Sequence, residues 1–358
     1  MDNAYNHLDG QTDRQTDISF CLPVYNVKDF LEDCLLSIQG QDLEKHNIAY
    51  EILCLDDGSS DGSYEFLLEN AKTVPQLKVF KNPENKGVSY TRNSLTQMAR
   101  GKYIWYVDPD DMLYGDATIF LMDIAKETNA DIVLANYLKI EENERYKEIK
   151  VEHKDLIDYR YCETENWDWL PDKNGESRMF SLCRGIFRKS FLDENELRLN
   201  PAILLMEDAL FFYELKKKRP YIIKAEFCCY QVRERRGSAM RKGRIDIEEQ
   251  KKRYNSMLSL ALIYKTYAYE ENEVEIEAEK KFYEIGAQVV RMLVRIDDEK
   301  FIKEELKNLK RQGIYPESLK RIKLISLKEK TINFLLKIEP FFWLYHWIYI
   351  NYDKNRKE

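Results

Sequence analysis

Two rhythms of apolar and polar positions alternate along the first third of the chain. Short runs at Ile18 to Leu22, Glu51 to Leu55, Leu77 to Phe80 and Tyr103 to Val107 read as strands. Between them apolar residues recur every three or four positions, at about Val27 to Ile38, Ser63 to Ala71 and Ser89 to Met98, which is helix spacing. This alternation indicates an α/β sheet, and right-handed crossovers make its strands largely parallel. From Asp131 to Ser238 the pattern is less regular, with a strand at Ile132 to Asn136 and a helix from Glu207 to Lys217. We assign this stretch to the second half of the same domain. After Ile245 long Lys/Glu-rich amphipathic runs follow at Glu248 to Tyr269 and Val274 to Val294, so the C-terminal region is helical.

Each of the four early strands ends in a polar segment. Pro23-Val-Tyr-Asn26 follows the first, Asp56-Asp-Gly-Ser-Ser-Asp-Gly62 the second, Asn82-Pro-Glu-Asn-Lys-Gly87 the third and Asp108-Pro-Asp-Asp111 the fourth. Ligands of open α/β sheets bind beyond the carboxyl ends of the strands, so these loops outline a nucleotide-sized crevice. Three carboxylates within four residues, Asp108, Asp110 and Asp111, repel one another in a partly desolvated cleft, and a hard divalent cation reverses that energy. A helix start explains the same residues equally well, since acids and proline both suit a first turn.

The chain has 358 residues, 44% of them hydrophobic, and a net charge of −7. That is enough for a large domain with an appendage. Seven cysteines without CxxC spacing form neither a disulfide framework nor a zinc site and point to a reducing, cytoplasmic compartment. Met1 to Asp17 is a polar, flexible leader without the apolar core of an export signal. The charge is uneven: from Lys300 onward 14 basic residues face 7 acidic ones, against 42 and 56 before it. An acidic body argues against nucleic acid as a partner, whereas the basic tail suits an anionic surface.

The polar segments, in this order and spacing, resemble the family 2 glycosyltransferases, enzymes of the GT-A fold that use nucleotide-activated sugars and invert the anomeric carbon. The resemblance covers roughly Ile18 to Met240. It rests on Pro-Val-Tyr-Asn (23 to 26), Asp-Asp-Gly-Ser-Ser-Asp (56 to 61), Asn-Lys-Gly-Val-Ser-Tyr-Thr-Arg-Asn (85 to 93), Asp-Pro-Asp-Asp (108 to 111), Glu-Asp (207, 208) and Arg-Gly-Ser (236 to 238). It implies a mixed, mostly parallel, Rossmann-like sheet flanked by helices, with a C-terminal helical extension. The expected boundaries are a leader at 1–17, a GT-A domain at 18–244 and a helical region with a basic, aromatic tail at 245–358. Within the domain, 18–125 is the nucleotide-binding half and 126–244 the acceptor half.

The resemblance also implies roles. Asp57 contacts the base, and Arg92 is the base-proximal arginine, the alternative for Arg92 being an exposed helix cation. Pro23 and Tyr25 line the nucleotide or simply pack a strand end. Asp108 and Asp110 form the Asp-x-Asp element at the ribose and the metal, Mn²⁺ or Mg²⁺, with Asp111 competing with Asp110 for the ion. Asp208 is the candidate base, and a helix N-terminus is the plainer reading of Glu207-Asp208. Arg233, Arg235, Arg236 and Ser238 resemble the loop that closes over the pyrophosphate; a solvated basic patch is the alternative. For Asp56 to Asp61 the alternative is an Asx-turn leading into a helix cap.

Two departures fall toward the acceptor side: Cys183 lies near where relatives often carry a tryptophan, and Met206 replaces the usual glycine before the acidic pair. Trp167 and Trp169 are candidate stacking faces for a sugar. The tail from Ile332 to Tyr352 mixes eight aromatic residues with Lys/Arg just upstream, which fits an interfacial helix on the inner face of the plasma membrane. A helix packing back on the body or on a partner subunit, in a homo-oligomer, fits equally. The expected activity is transfer of a hexosyl or N-acetylhexosaminyl group from a nucleotide-sugar, a UDP-sugar first, to a glycan or lipid-linked acceptor in polysaccharide assembly. A catalytically silent partner subunit of the same fold is the alternative. A pyrophosphorylase, an oxidoreductase and a kinase are disfavoured, because no GxGTR-like loop, GxGxxG or P-loop is present.

Overall fold

The computed structural model describes residues 15–147, 159–162, 181–234, 246–269, 275–321 and 327–355. The chain divides into two compact units, one formed by 1–201 with 207–241 and the other by 202–206 with 242–358.

The first unit begins as the sequence pattern predicts. Strands β1 (Ile18–Val24), β2 (Tyr50–Asp56), β3 (Leu77–Lys81) and β4 (Tyr103–Tyr106) alternate with helices α1 (Lys28–Gln39), α2 (Ser63–Ala71) and α3 (Val88–Met98). β5 (Met112–Leu113), α4 (Ala117–Thr128), β6 (Ile132–Glu141), β7 (Tyr159–Cys162), β8 (Gly185–Arg188), α5 (Lys189–Glu194), α6 (Glu207–Lys217) and β9 (Ile222–Glu234) complete it. The described strands form one nine-stranded sheet in the order β3-β2-β1-β4-β8-β6-β9-β5, with β7 also on β9. The first four strands pair in parallel, as does β6 with β9; β8 runs antiparallel to both β4 and β6.

Both faces of the sheet are covered, which is why its central strands read as unbroken apolar runs. Phe20, Leu22, Tyr103 and Trp105 point to one face, packing against Leu31, Cys34 and Ile38 of α1 and Leu67 of α2. Cys21, Leu53, Ile104 and Tyr106 point to the other, with Leu95 of α3 and Phe211 and Phe212 of α6. The strand period of two thus builds a helix–sheet–helix sandwich.

The second unit is helical: α7 (Ile247–Ala268), α8 (Ile276–Leu293), α9 (Glu299–Arg311), α10 (Glu317–Arg321), α11 (Leu327–Leu336) and α12 (Glu339–Asn355). Asp246 and Asp298 cap α7 and α9 by accepting the N–H of Glu249 (2.8 Å) and of Phe301 (3.0 Å). α8 buries Phe282, Ile285, Val289, Val290 and Leu293 on one stripe. The tail, expected as one interfacial helix, is two helices, and it packs part of itself inward: Leu336, Phe342 and His346 are buried. None of the helices in the described residues is long and apolar enough to cross a membrane.

Candidate active site

The strand order reverses between β1 and β4, the topological switch point where open α/β sheets bind ligands. Pro23 and Tyr25 follow or end β1, and the acidic cluster follows β4. Pro23 is buried in a central strand, a position that normally excludes proline. Cys21 O faces β4, accepting from Val107 N at 3.0 Å, and Val24 O faces β2, accepting from Asp57 N at 2.8 Å. The N–H of residue 23 would therefore point to the β4 side, beyond the last residue β4 pairs with β1. Tyr25 is 46% exposed, at the rim. Asn26, at φ +52°, ties this loop to the next one, its Oδ1 accepting the N–H of Ser60 at 2.9 Å.

Asp57 is buried and reaches away from its own loop. Its Oδ1 accepts Asn82 Nδ2 (2.7 Å) and Lys86 N (2.9 Å), and its Oδ2 accepts Gly87 N (2.8 Å). A carboxylate offers about four lone-pair sites, so three are filled by the 82–87 loop. The Asx-turn and helix-start work is done by its neighbours: Asp56 Oδ2 accepts Ser59 N at 3.1 Å, and Asp61 Oδ1 accepts Ser63 N at 2.9 Å. Gly58, at φ +79°, lies so close to the 82–87 loop that a Cβ would stand 3.1 Å from Asn85 N. Asp57 and Gly58 together fasten the second loop to the third.

The carboxylates after β4 occupy different environments. Asp108 is partly exposed; its N–H donates to Tyr230 Oη at 2.9 Å and its Oδ1 accepts from Arg92 Nη2 at 2.7 Å. Asp110 is half-buried. Asp111 is buried, and its Oδ1 accepts Arg233 N at 2.7 Å. Burial, and then the charges of Asp110 and Asp108, push Asp111 well above the usual carboxylate range. The antiparallel pairing of β5 with β9 places Asp111 beside Arg233.

Arg92 is the centre of the site and not an exposed helix cation. It sits on the buried side of α3 with Leu95 and Thr96, and its Nη1 donates to Glu207 Oε1 at 3.0 Å. The flanking carboxylates overcome its burial and hold its pKa well above the usual arginine value. Glu207 and Asp208 open α6, as the sequence pattern predicts. Burial first, and then the adjacent Glu207, raise Asp208 to about 7, while Arg92 pulls it back. Its Oδ1 accepts the N–H of Ala209 at 2.8 Å. Met206, where a glycine was expected from the resemblance, has φ +63°, a left-handed conformation.

Arg233 is not available to a phosphate. Its fully buried guanidinium donates to Asp110 O (2.9 Å), Asp33 Oδ2 (3.2 Å) and the carbonyls of Glu142 and Glu144, and stacks over Phe30 at 5.3 Å. Arg235, Arg236 and Ser238 lie outside the described residues, as do Trp167 and Trp169. Cys183 is buried beneath the site, its carbonyl accepting Trp105 Nε1 at 2.7 Å.

Among the described residues no three His, Cys, Asp or Glu side chains form a ready-made metal cage. A Mg²⁺- or Mn²⁺-type ion needs only one or two carboxylates when substrate phosphates complete its shell, and the all-oxygen donor set of Asp108, Asp110 and Asp111 suits such an ion. The partners that sequence reasoning missed are Glu207 for Arg92, Tyr230 for Asp108 and Arg233 for Asp111. Each is a long-range contact; the one local signal was Arg92 falling in register with Leu95 and Thr96, since a buried guanidinium must be paired.

Residues 19–192 match the family model described as glycosyl transferase family 2. Over that stretch the chain matches a family 2 glycosyltransferase domain. A poly(ribitol-phosphate) beta-glucosyltransferase of Bacillus spizizenii is 29% identical to it over 229 residues, 62% of this chain and 33% of that protein. The first curated relatives are matched over 33–62% of their own lengths. Among solved structures, Staphylococcus aureus TarS 1–349 in complex with UDP-GlcNAc superposes with a TM-score of 0.54 at 18% identity, over 87% of this chain and 95% of that one. A mannosyltransferase from Pyrobaculum calidifontis in complex with GDP-Man and Mn²⁺ gives 0.50 at 12% identity, over 96% of this chain and 89% of that one. The transferase domain therefore has the GT-A fold, as the motifs imply.

Proposed function

We propose that the protein is an inverting glycosyltransferase that moves a sugar from a UDP-sugar to a hydroxyl of a glycan or lipid-linked acceptor, with Asp208 as the base. The observation that carries this reading is the placement of Asp208. It is a carboxylate raised to about 7 at the start of α6, and its neighbour Glu207 shares Arg92 with Asp108 of the acidic cluster. A base poised near neutrality is best matched to its task.

In this reading Asp208 takes the proton of the acceptor hydroxyl as that oxygen bonds to the anomeric carbon. The bond from that carbon to the UDP oxygen breaks on the opposite face, so configuration inverts. Arg92 positions: it holds Asp108 toward the ribose and α6 in register with it. Asp57 holds the 82–87 loop with three N–H bonds and keeps one acceptor site for the N–H edge of a uracil. Pro23 and Tyr25 border the nucleotide, and Arg236 and Ser238 are assigned to the pyrophosphate. Asp110 is the preferred metal ligand over Asp111, which is buried and already accepts a main-chain N–H. A divalent ion bound there supplies Lewis-acid stabilisation of the departing diphosphate.

The relative named for poly(ribitol phosphate) glucosylation and the UDP-GlcNAc complex of TarS give the first substrates to try. The test is UDP release on incubation with Mn²⁺, UDP-glucose or UDP-GlcNAc, and a poly(ribitol phosphate) or undecaprenyl-linked acceptor. Transfer by wild type and none by Asp208→Asn supports the proposal; equal transfer by both removes Asp208 from the chemistry.

A further inference from the structure

The last two helices present an apolar stripe to solvent, with a cation on each side of it. Phe334, Ile338, Phe341, Leu344 and Ile348 are 39–60% exposed, and Trp347 lies among them at 64%. Their spacing of three and four residues puts them on one face; at about 100° per residue Phe341, Leu344 and Ile348 fall within ~60° of one another. The row runs through the junction of α11 and α12, where Phe342 N donates to Ile338 O at 3.0 Å. The opposite face is packed: the Phe342 ring meets Tyr315 edge-on at 6.2 Å, and His346 Nδ1–H donates to Val294 O at 2.8 Å. A helix apolar all round but packed on one side leaves a surface that water disfavours.

The rims are basic. Lys303 Nζ lies 5.8 Å over the ring of Trp343, and the Arg295 guanidinium lies 5.7 Å over Tyr349. Trp343 and Tyr349 fall on either side of the inward-facing Phe342 and His346, so the two cations flank the exposed stripe. Glu339, which interrupts the stripe, is ion-paired with Lys310 at 2.5 Å. The surrounding sequence from Lys300 onward carries 14 basic and 7 acidic residues.

We propose that this face rests on an anionic lipid bilayer, its apolar side chains at the headgroup–acyl boundary and its cations against lipid phosphates. A second copy of the chain fits less well, because pairing the stripes would bring like-charged rims together. Aromatic rings beside Lys and Arg are the residues expected at a membrane–water boundary. The proposal is independent of the transfer chemistry, and its failure would leave that reading standing.

The experiment is flotation of the full chain with vesicles of phosphatidylcholine alone and with roughly 30% phosphatidylglycerol, at low and high salt, with light scattering to give the mass of the free protein. Wild type is expected to float with the anionic vesicles and to be released by salt. Phe341→Ser/Leu344→Ser/Ile348→Ser should lower the bound fraction at least ~10-fold, since each buried CH₂ matters. Arg295→Glu/Lys303→Glu should lower it by a similar factor and flatten the salt dependence. These side chains are exposed, so UDP release and thermal midpoint serve as controls for folding. No flotation of wild type, equal flotation of the serine variant, or a dimer that the serine substitutions split without any vesicle binding would each overturn the proposal.

Discussion

Arg92 Nη1 lies 3.0 Å from Glu207 Oε1 while Nη2 of the same guanidinium lies 2.7 Å from Asp108 Oδ1. One side chain on α3 thus joins the acid after β4 to the start of α6. Its fork geometry makes two bonds to two carboxylates, which a lysine cannot reproduce. Removing it strands two partly buried acids, and losing one partner of a buried pair costs about 3–5 kcal/mol. Arg92→Ala should unfold the transferase domain at a markedly lower temperature, and Arg92→Lys should stay folded with kcat reduced ~10²-fold and KM for the donor changed less. Steady-state kinetics with a melting curve separates the two.

Asp208 sets a pH expectation. Its folded pKa of about 7 lies above the unfolded carboxylate value, so the folded state holds the proton more tightly; stability falls as pH rises from the unfolded value through about 7 and levels off above it. A base must be deprotonated, so kcat/KM should rise with pH through an apparent pKa near 7 and level off above it. Asp208→Asn removes the buried charge. At pH 8 the variant should melt higher than wild type, by about 2–4 °C for each kcal/mol relieved, while losing transfer. A flat pH–rate profile between 5 and 8 would contradict the assignment.

Met206 holds φ +63° immediately before α6. A left-handed conformation costs an ordinary residue roughly 1–2 kcal/mol, and glycine loses about 0.5–1 kcal/mol of chain entropy in exchange. Met206→Gly should therefore be neutral or stabilising by up to ~1 kcal/mol, and Met206→Ile, β-branched, destabilising by more than ~1 kcal/mol. Chemical denaturation of the three proteins measures the order.

The three N–H groups that converge on Asp57 make the 82–87 loop depend on its charge. Asp57→Asn turns one acceptor oxygen into a donor facing an N–H. The cost of about 1–3 kcal/mol should appear as a ~10- to 100-fold weaker donor affinity with kcat less affected. Calorimetric titration with UDP reads it directly.

Much of this arrangement was legible in the chain. The four parallel strands, helices α2 and α6 and the loops at the strand ends follow from periods of two and three to four with turn residues between them. β5 and β8 were not, because two and four residues carry no measurable period and their places come from pairing with β9, β4 and β6. β6 was read to Asn136 but extends to Glu141, where alternation of burial gives way and main-chain pairing with β9 continues the strand. Among the site residues, the order of Asp57, Asp108, Asp110 and Asp208 along the chain pointed to the candidate cleft. What each touches was hidden, since Arg92 finds Glu207 115 residues away and Arg233 finds Asp33 200 residues away. Arg233 consequently reads as part of a basic loop in sequence and as a buried strut in the fold.

The tail shows the same division. Its aromatic and basic composition left docking on the body and contact with a surface equally open. Phe342 and His346 pack on Tyr315 and Val294 of the same helical unit, whereas Phe341, Leu344 and Ile348 are exposed, one residue's rotation separating Phe341 from Phe342.

The rate of UDP release from UDP-glucose or UDP-GlcNAc by wild type and by Asp208→Asn, with UDP affinity measured on both, tests the central assignment most directly. The expected result is a fall in rate of at least ~10³-fold with UDP affinity within about twofold, as for the loss of a base that acts only in the transition state. Release by Asp208→Asn at the wild-type rate would contradict it.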